Sequence, residues 1–179
     1  MFPDTFAREI AEDLISELSG FCDRIEVAGS LRRKRQAVHD IDLVVIPKFV
    51  QMNDESLFGH PVQENLLEKK LSQLCLRGEL DLVANGSKIK RFLKTVDGDT
   101  IPIDIYAATG QTWWTLLLIR TGSRNHNVKL ARRAMDHHMA LKADGSGLLT
   151  PGGSLIHIHS EDDIFHHLGL AYRLPEERE

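Results

Sequence analysis

The sequence predicts an α/β (α+β) fold: a mixed β-sheet with flanking helices, followed by a smaller α/β unit. Three observations carry the prediction. Apolar residues recur at helical spacing over residues 4–18, 62–75, 111–119 and 125–138. Three β-rich runs at 80–84, 89–96 and 101–106 are separated by the turn pairs Asn85-Gly86 and Asp97-Gly98. A further run, 40–46, has the composition of a buried strand.

Along residues 4–18, Phe6, Ile10 and Leu14 fall four apart with Ala7, Ala11 and Ile15 beside them. One face of that helix is therefore buried and the acidic face is wet, and Gly20 ends it. Residues 24–28 alternate through Ile25 and Val27, which reads as a strand leading to Gly29. Ser30 is expected to cap a short helix through the basic residues that follow. Residues 47–61 carry Gln51, Asn53, Asp54, Ser56 and Gly59, the chemistry of a surface loop. Helical spacing returns over 62–75 through Leu66, Leu67, Leu71 and Leu74, with Gly78 after it. In the helix at 111–119, Trp113 and Trp114 are expected to divide between core and interface, with no role in a site. Residues 141–149 suggest a hairpin turning at Asp144-Gly145, and Ser160 with Asp163 reads as a capping box for a last helix through Ile164, Phe165 and Leu168.

The stretch from Gly29 to Ile46 concentrates chemistry. A glycine and a serine are followed by Arg32, Arg33, Lys34 and Arg35, and then by Asp40 and Asp42 entering the apolar strand. Residues two apart in a strand share a face, so both carboxylates point one way, an arrangement suited to a hard cation such as Mg²⁺. The Gly29-Ser30 turn and the basic run could hold phosphates against that cation. Taken singly, an Asp-x-Asp pair reads as ordinary edge polarity and a basic run as a solvated face; joined at this spacing they are far more specific. Asp104 sits between Ile103 and Ile105 in another strand, where a buried charge needs a cation or a donor. A core arginine would satisfy it. So would a metal shared with Asp40 and Asp42, since three carboxylates can hold two divalent ions roughly 3.5–4 Å apart.

Composition sets the bounds. The 179 residues, 42 % hydrophobic, allow one compact unit or two small ones sharing an interface. Cys22 and Cys75 lie outside any metal-ligand spacing and are expected to be reduced thiols. No signal segment or membrane-length apolar run is present, so an intracellular, soluble protein is expected. The nine histidines lack zinc-finger spacing, and His39 beside Asp40 is a candidate outer contact. The net charge is −4, but residues 86–133 hold nine Lys or Arg against three acids, an excess of +6 between acidic ends. Local field governs phosphate contact, so the middle of the chain is the candidate nucleic-acid surface.

Gly-Ser, an Arg pair and Asp-x-Asp ten residues after the serine resemble the nucleotidyltransferase signature, and specifically that of the family X DNA polymerases. A second stretch, Thr121-Gly122-Ser123 with Asn127, is similar to the segment joining palm to thumb in that family, and the ending from Ser160 resembles the family's last segment. The resemblance implies a nucleotidyltransferase-type palm over 1–110 and a small α/β thumb over 111–179, without an N-terminal lyase or helix-hairpin-helix domain. It implies catalytic and metal-binding roles for Asp40, Asp42 and Asp104, with two Mg²⁺ ions and Mn²⁺ able to substitute. The implied nucleotide-binding residues are Gly29, Ser30, Arg33, Thr121, Gly122, Ser123 and Asn127. Lys88, Lys90, Lys129, Arg132 and Arg133 are implied DNA contacts, and Arg124 is a candidate for the base.

The implied activity is gap-filling, DNA-directed DNA polymerisation: a dNMP joins a primer 3′-OH and pyrophosphate leaves. Gapped or primer-template DNA and a dNTP are the implied partners of a monomer, with a DNA ligase as pathway neighbour by analogy. The sequence departs from the family at Ile119-Arg120, where many relatives carry a Tyr-Phe pair that excludes the ribose 2′-hydroxyl. A template-independent terminal transferase or a ribonucleotide-tolerant nucleotidyltransferase is the alternative.

Overall fold

The computed structural model describes residues 1–52 and 62–179. In chain order the elements are β1 (Phe2–Pro3), α1 (Asp4–Leu18), β2 (Cys22–Val27), α2 (Gly29–Arg32), β3 (Ala37–Val38), β4 (Ile41–Pro47), β5 (Phe49–Met52) and β6 (Val62–Asn65). They continue with α3 (Leu66–Leu76), β7 (Asp81–Asn85), β8 (Ile89–Val96), β9 (Asp99–Ala107), α4 (Trp113–Thr121), α5 (Arg124–Asp136), β10 (Ala140–Leu141), β11 (Leu148–Leu149) and α6 (Glu161–His167).

A five-stranded sheet in the order β2-β4-β9-β8-β7 forms the centre, with β4 and β9 parallel and the other pairs antiparallel. The mixed sheet expected from sequence is therefore present. Strand alternation gives its two faces different work. Ile41, Leu43 and Val45 of β4 and Ile101, Ile103 and Ile105 of β9 enter one core with Ala7, Leu14 and Leu18 of α1 and Leu67, Leu71 and Leu74 of α3. The intervening residues face the other way: Val44 and Tyr106 pack on Trp113, Leu116 and Leu117 of α4. Asp42 and Asp104 share that second face, placed opposite the helix-covered core by the period of two.

Leu118, Leu130, Leu141, Leu148, Ile164 and Phe165 form a further core among α4, α5, α6 and the β10-β11 hairpin. Trp113 is buried, and Trp114 is half-buried against both of the last two cores, with the Arg24 guanidinium 4.4 and 4.3 Å from their ring centres. The tryptophans thus divide between core and interface as expected.

Three local expectations change. Residues 49–52 are a strand rather than loop, paired antiparallel with Val62–Asn65, which the leucine spacing had assigned to a helix. The helix begins only at Leu66, where the Asn65 side chain accepts from the Glu68 amide at 3.1 Å; residues 53–61 of the expected loop lie outside the described residues. The turn at 29–32 is helical from Gly29 itself, with Ala28 before it in extended conformation, so Ser30 lies inside the turn instead of capping it. The last capping box forms as expected, Ser160 Oγ accepting from the Asp163 amide and Asp163 from the Ser160 amide. Both cysteines are free thiols. Among the described residues no helix is long and apolar enough to cross a membrane.

Candidate active site

Asp42 and Asp104 are register partners on the parallel strands β4 and β9, and Asp40 precedes β4 by one residue. One carboxylate oxygen from each lies within 4.8 Å of the other two. Among the described residues they are the one group of three or more His, Cys, Asp or Glu side chains so arranged. Mutual repulsion is visible in their acidities. Burial, then Asp40, then Asp104 push the Asp42 carboxyl up to about 7, and burial with Asp104 raises Asp40. Two carboxyls that resist ionising, set beside the third carboxylate of Asp104, fit a divalent cation bound through oxygen.

Asp104 is more tightly held than the sequence suggested. Arg91, its cross-strand neighbour on β8, donates Nε to Oδ1 at 2.6 Å and Nη2 to Oδ2 at 2.5 Å, and the Tyr106 hydroxyl donates to Oδ2 at 3.1 Å. An arginine does partner Asp104, though Arg91 is half exposed rather than a core residue, and the carboxylate still lies beside those of Asp40 and Asp42. A carboxylate offers about four lone-pair positions, so three donors leave room for a cation.

Gly29 reaches this centre through its missing side chain. Its φ is +60°, and a Cβ there would collide with the Asp42 carboxylate. The turn can approach the aspartates only as glycine.

The four basic residues after it separate by role. Arg32 donates to Thr121 Oγ1 at 2.7 Å and grips both oxygens of Glu161 at 2.8 and 2.9 Å. Glu161 also takes both terminal nitrogens of Arg178, which is fully buried. Lys34 pairs with Glu176 at 3.0 Å and Arg35 with Glu179. Arg33 alone of the four has no carboxylate partner among the described residues; its Nη1 donates to the Thr121 carbonyl and its Nε is buried without a partner. Burial, with Arg35 nearby, lowers its pKa while Asp42 and Asp40 oppose the shift. An arginine beside the carboxylates, with an unsatisfied donor, is ready for an anion.

The second stretch joins this one directly. A Cβ on Gly122, whose φ is +70°, would meet Arg33 Nη1 at 3.0 Å. Gly122 and Ser123 are joined by a cis peptide, and Ser123 Oγ caps α5 by accepting from the His126 amide. Asn127 donates Nδ2 to the Ile119 carbonyl at 2.8 Å, leaving its buried Oδ1 unpartnered. Gly29, Ser30, Arg33, Thr121, Gly122, Ser123 and Asn127 are thereby gathered around the junction of α2 with α4 and α5.

Arg120 also arrives there. Its guanidinium lies 4.2 Å from the Tyr106 ring centre, with Nε buried and unpartnered. Arg91 and Tyr106 had no assigned role in the sequence reading, because their relation to Asp104 depends on strand register. His39 is exposed.

The expected DNA contacts scatter. Lys88 is exposed and within 3.4 Å of Asp144, whereas Lys90 is largely covered and bound to Glu68 at 2.8 Å. Lys129, Arg132 and Arg133 lie roughly half a helical turn around α5 from Asn127, lining a different cleft.

Residues 116–179 match the DNA polymerase beta thumb family. The chain is 29 % identical over 182 residues to the DNA polymerase/3′-5′ exonuclease PolX of Bacillus subtilis (strain 168), an alignment covering 99 % of this chain and 28 % of that protein. It therefore spans little more than a quarter of the length of this curated relative. The crystal structure of Leishmania infantum polymerase beta in a ternary P/T complex superposes with a TM-score of 0.81 at 20 % identity, covering 99 % of this chain and 76 % of that one.

Proposed function

We propose that this chain, which shares the fold of polymerase beta and matches the polymerase beta thumb family over residues 116–179, is a gap-filling, DNA-directed DNA polymerase of family X. In this reading residues 1–110 form the palm and 111–179 the thumb. The convergence of Asp40, Asp42 and Asp104 beside Arg33 carries the proposal.

Asp40, Asp42 and Asp104 would hold two divalent ions, Mg²⁺ or in its place Mn²⁺. Such ions lower the pKa of a primer 3′-hydroxyl and neutralise charge on the phosphates. The chain's own groups do the rest. Arg33 and Ser30 bind the β and γ phosphates of a dNTP, with the missing Cβ of Gly29 admitting the approach. The Arg33 guanidinium meets negative charge as the 3′ oxygen attacks the α-phosphorus and the bond to pyrophosphate breaks. Arg91 and Tyr106 orient the Asp104 carboxylate. The Thr121-Gly122 backbone is the candidate neighbour of the sugar, and Asn127, whose Oδ1 is buried and without a partner among the described residues, is the candidate for the base. Exposed Lys88 is the palm contact for duplex phosphate.

Single-nucleotide extension of a gapped duplex with Mg²⁺ tests this, using each dNTP and NTP beside an untemplated strand. Incorporation of the complementary dNTP in the gap, lost in Asp104→Ala, is the expected result. Extension by Asp104→Ala at the wild-type rate would overturn the site. Equal addition to the single strand would establish the terminal transferase instead, and equal use of NTPs the ribonucleotide-tolerant enzyme.

A further inference from the structure

A cleft of about 770 Å³ lies between α5 and the segment after α6 and takes no part in the chemistry above. That volume is in the range of small-ligand sites. At its base is His126, only 4 % exposed, whose Nδ1 and Nε2 both lack a hydrogen-bond partner among the described residues. Buried polar side chains are nearly always paired, so an imidazole with two unused nitrogens points to a missing partner. Burial first, then the charges of Arg178, Arg173 and Lys129, pull its pKa down to about 4. At neutral pH it is therefore one donor and one acceptor.

The surroundings narrow the ligand's chemistry. Tyr172, 39 % exposed, offers an aromatic face to the cleft, backed at 5.3 Å by the buried Phe165 ring, which stands 5.7 Å from the imidazole. Arg132 and Arg173 reach the cleft with no side-chain partner among the described residues, and Arg133 uses only Nε, on the Leu168 carbonyl at 2.9 Å. Two of the lining acids are engaged: Glu177 accepts from the Leu174 amide and Glu179 pairs with Arg35. Asp136 is left against an excess of guanidinium charge.

We propose that this cleft binds a nucleoside 5′-monophosphate unit, with its ring on the exposed face of Tyr172 near His126 and its phosphate among Arg132, Arg133 and Arg173. Aromatic faces accept any base, and guanidinium forks match phosphate oxygens. The choice of a nucleotide over another phosphorylated ring rests on the polymerase reading; the cleft and its orphaned imidazole do not. The same chemistry comes from a free mononucleotide or from the 5′-phosphorylated end of a strand.

The test follows the His126 imidazole resonances by NMR in the full chain, in EDTA, so that neither metal nor turnover contributes. The probes are dAMP, deoxyadenosine, and gapped duplexes with a 5′-phosphate or a 5′-hydroxyl. Saturable shifts with dAMP, weakened about tenfold or more without the phosphate, are expected. Arg132→Ala with Arg173→Ala should abolish them. His126→Phe, which keeps an aromatic ring, should weaken dAMP binding measured by equilibrium dialysis at least about fivefold while circular dichroism is unchanged. Competition by the 5′-phosphorylated duplex alone would identify a strand end as the source, and no competition by either duplex would identify the free nucleotide. No shift up to roughly 10 mM dAMP, or shifts that survive loss of both arginines, would reduce His126 to a partner of buried water and overturn the site. Because polymerase activity is not the readout, an inactive enzyme that binds dAMP here leaves this proposal standing, and an active one that does not bind removes it.

Discussion

Arg91 and Asp104 face each other across the antiparallel strands β8 and β9, two guanidinium nitrogens on two carboxylate oxygens at 2.6 and 2.5 Å. The pair fixes the rotamer of one of the three carboxylates proposed to hold the metal ions. Groups that orient a metal-binding side chain typically matter by about 10–100-fold. Arg91→Ala should lower gap-filling by that order. Arg91→Lys restores charge without the fork and should recover only part of the loss. Steady-state extension rates check this, and full activity in Arg91→Ala would show that Asp104 needs no orientation.

Gly29 sits at the closest approach of the 29–32 turn to the aspartate cluster. Gly29→Ala adds a methyl where the Asp42 carboxylate already is, at a positive φ that disfavours alanine. Such strain costs roughly 1–3 kcal/mol. A folded but less stable protein with no measurable extension is expected, read by thermal melting and primer extension together.

In the proposed reading, Asp42 should make metal loading pH-dependent. Its folded pKa, about 7, is above that of an unfolded aspartate. A raised carboxyl stabilises the metal-free fold at low pH, and that contribution is lost as pH rises from about 4 towards about 7. A divalent ion must displace the proton, so its affinity should fall about tenfold per pH unit below that value. The rise in Tm on adding Mg²⁺ should therefore be larger at pH 8 than at pH 6. A constant increment would mean that Asp42 is ionised throughout.

Glu161 joins three parts of the chain. It lies between Arg32 of α2 and buried Arg178 near the C-terminus. Burial opposes its ionisation, but hydrogen bonds from both guanidiniums hold its pKa below the usual carboxylate range. Glu161→Ala would leave buried Arg178 uncompensated and Arg32 with only Glu26, at 3.5 Å, a loss of about 3–5 kcal/mol. Urea denaturation measures it. In wild type the contribution is present above the unfolded carboxyl pKa and disappears as pH falls through the lowered folded one.

What the sequence disclosed and what it withheld follow from the range of the interactions. Asp40 and Asp42 were legible because a period of two and an apolar strand are local facts, and Asp104 because a charge between two isoleucines needs an explanation. The Ser160-Asp163 cap was legible for the same reason. Arg91 was not, since its partner is set by the register of β8 on β9. Arg32 looked like a phosphate ligand beside Arg33; its carboxylate partner stands 129 residues away, and only the folded chain brings it there. The β5-β6 pair was hidden by leucines at 66 and 67, whose helical spacing ran past the point where Asn65 starts the helix.

Arg120 stands where the family resemblance read from the sequence leads one to expect an aromatic ring, and it stacks at 4.2 Å on Tyr106, which is bonded to Asp104. Its buried Nε has no partner among the described residues. A phenylalanine there would present only a bulky apolar edge to the sugar, whereas a guanidinium offers donors that a 2′-hydroxyl can accept. A site that hydrogen-bonds a hydroxyl discriminates in its favour, and one that cannot loses that preference. Arg120→Phe should therefore raise the ratio of kcat/KM for dATP over ATP by about tenfold or more. The change should come mainly from slower use of ATP, with dATP extension largely retained. An unchanged ratio would assign Arg120 to packing on Tyr106 and leave sugar choice to the Thr121-Gly122 backbone.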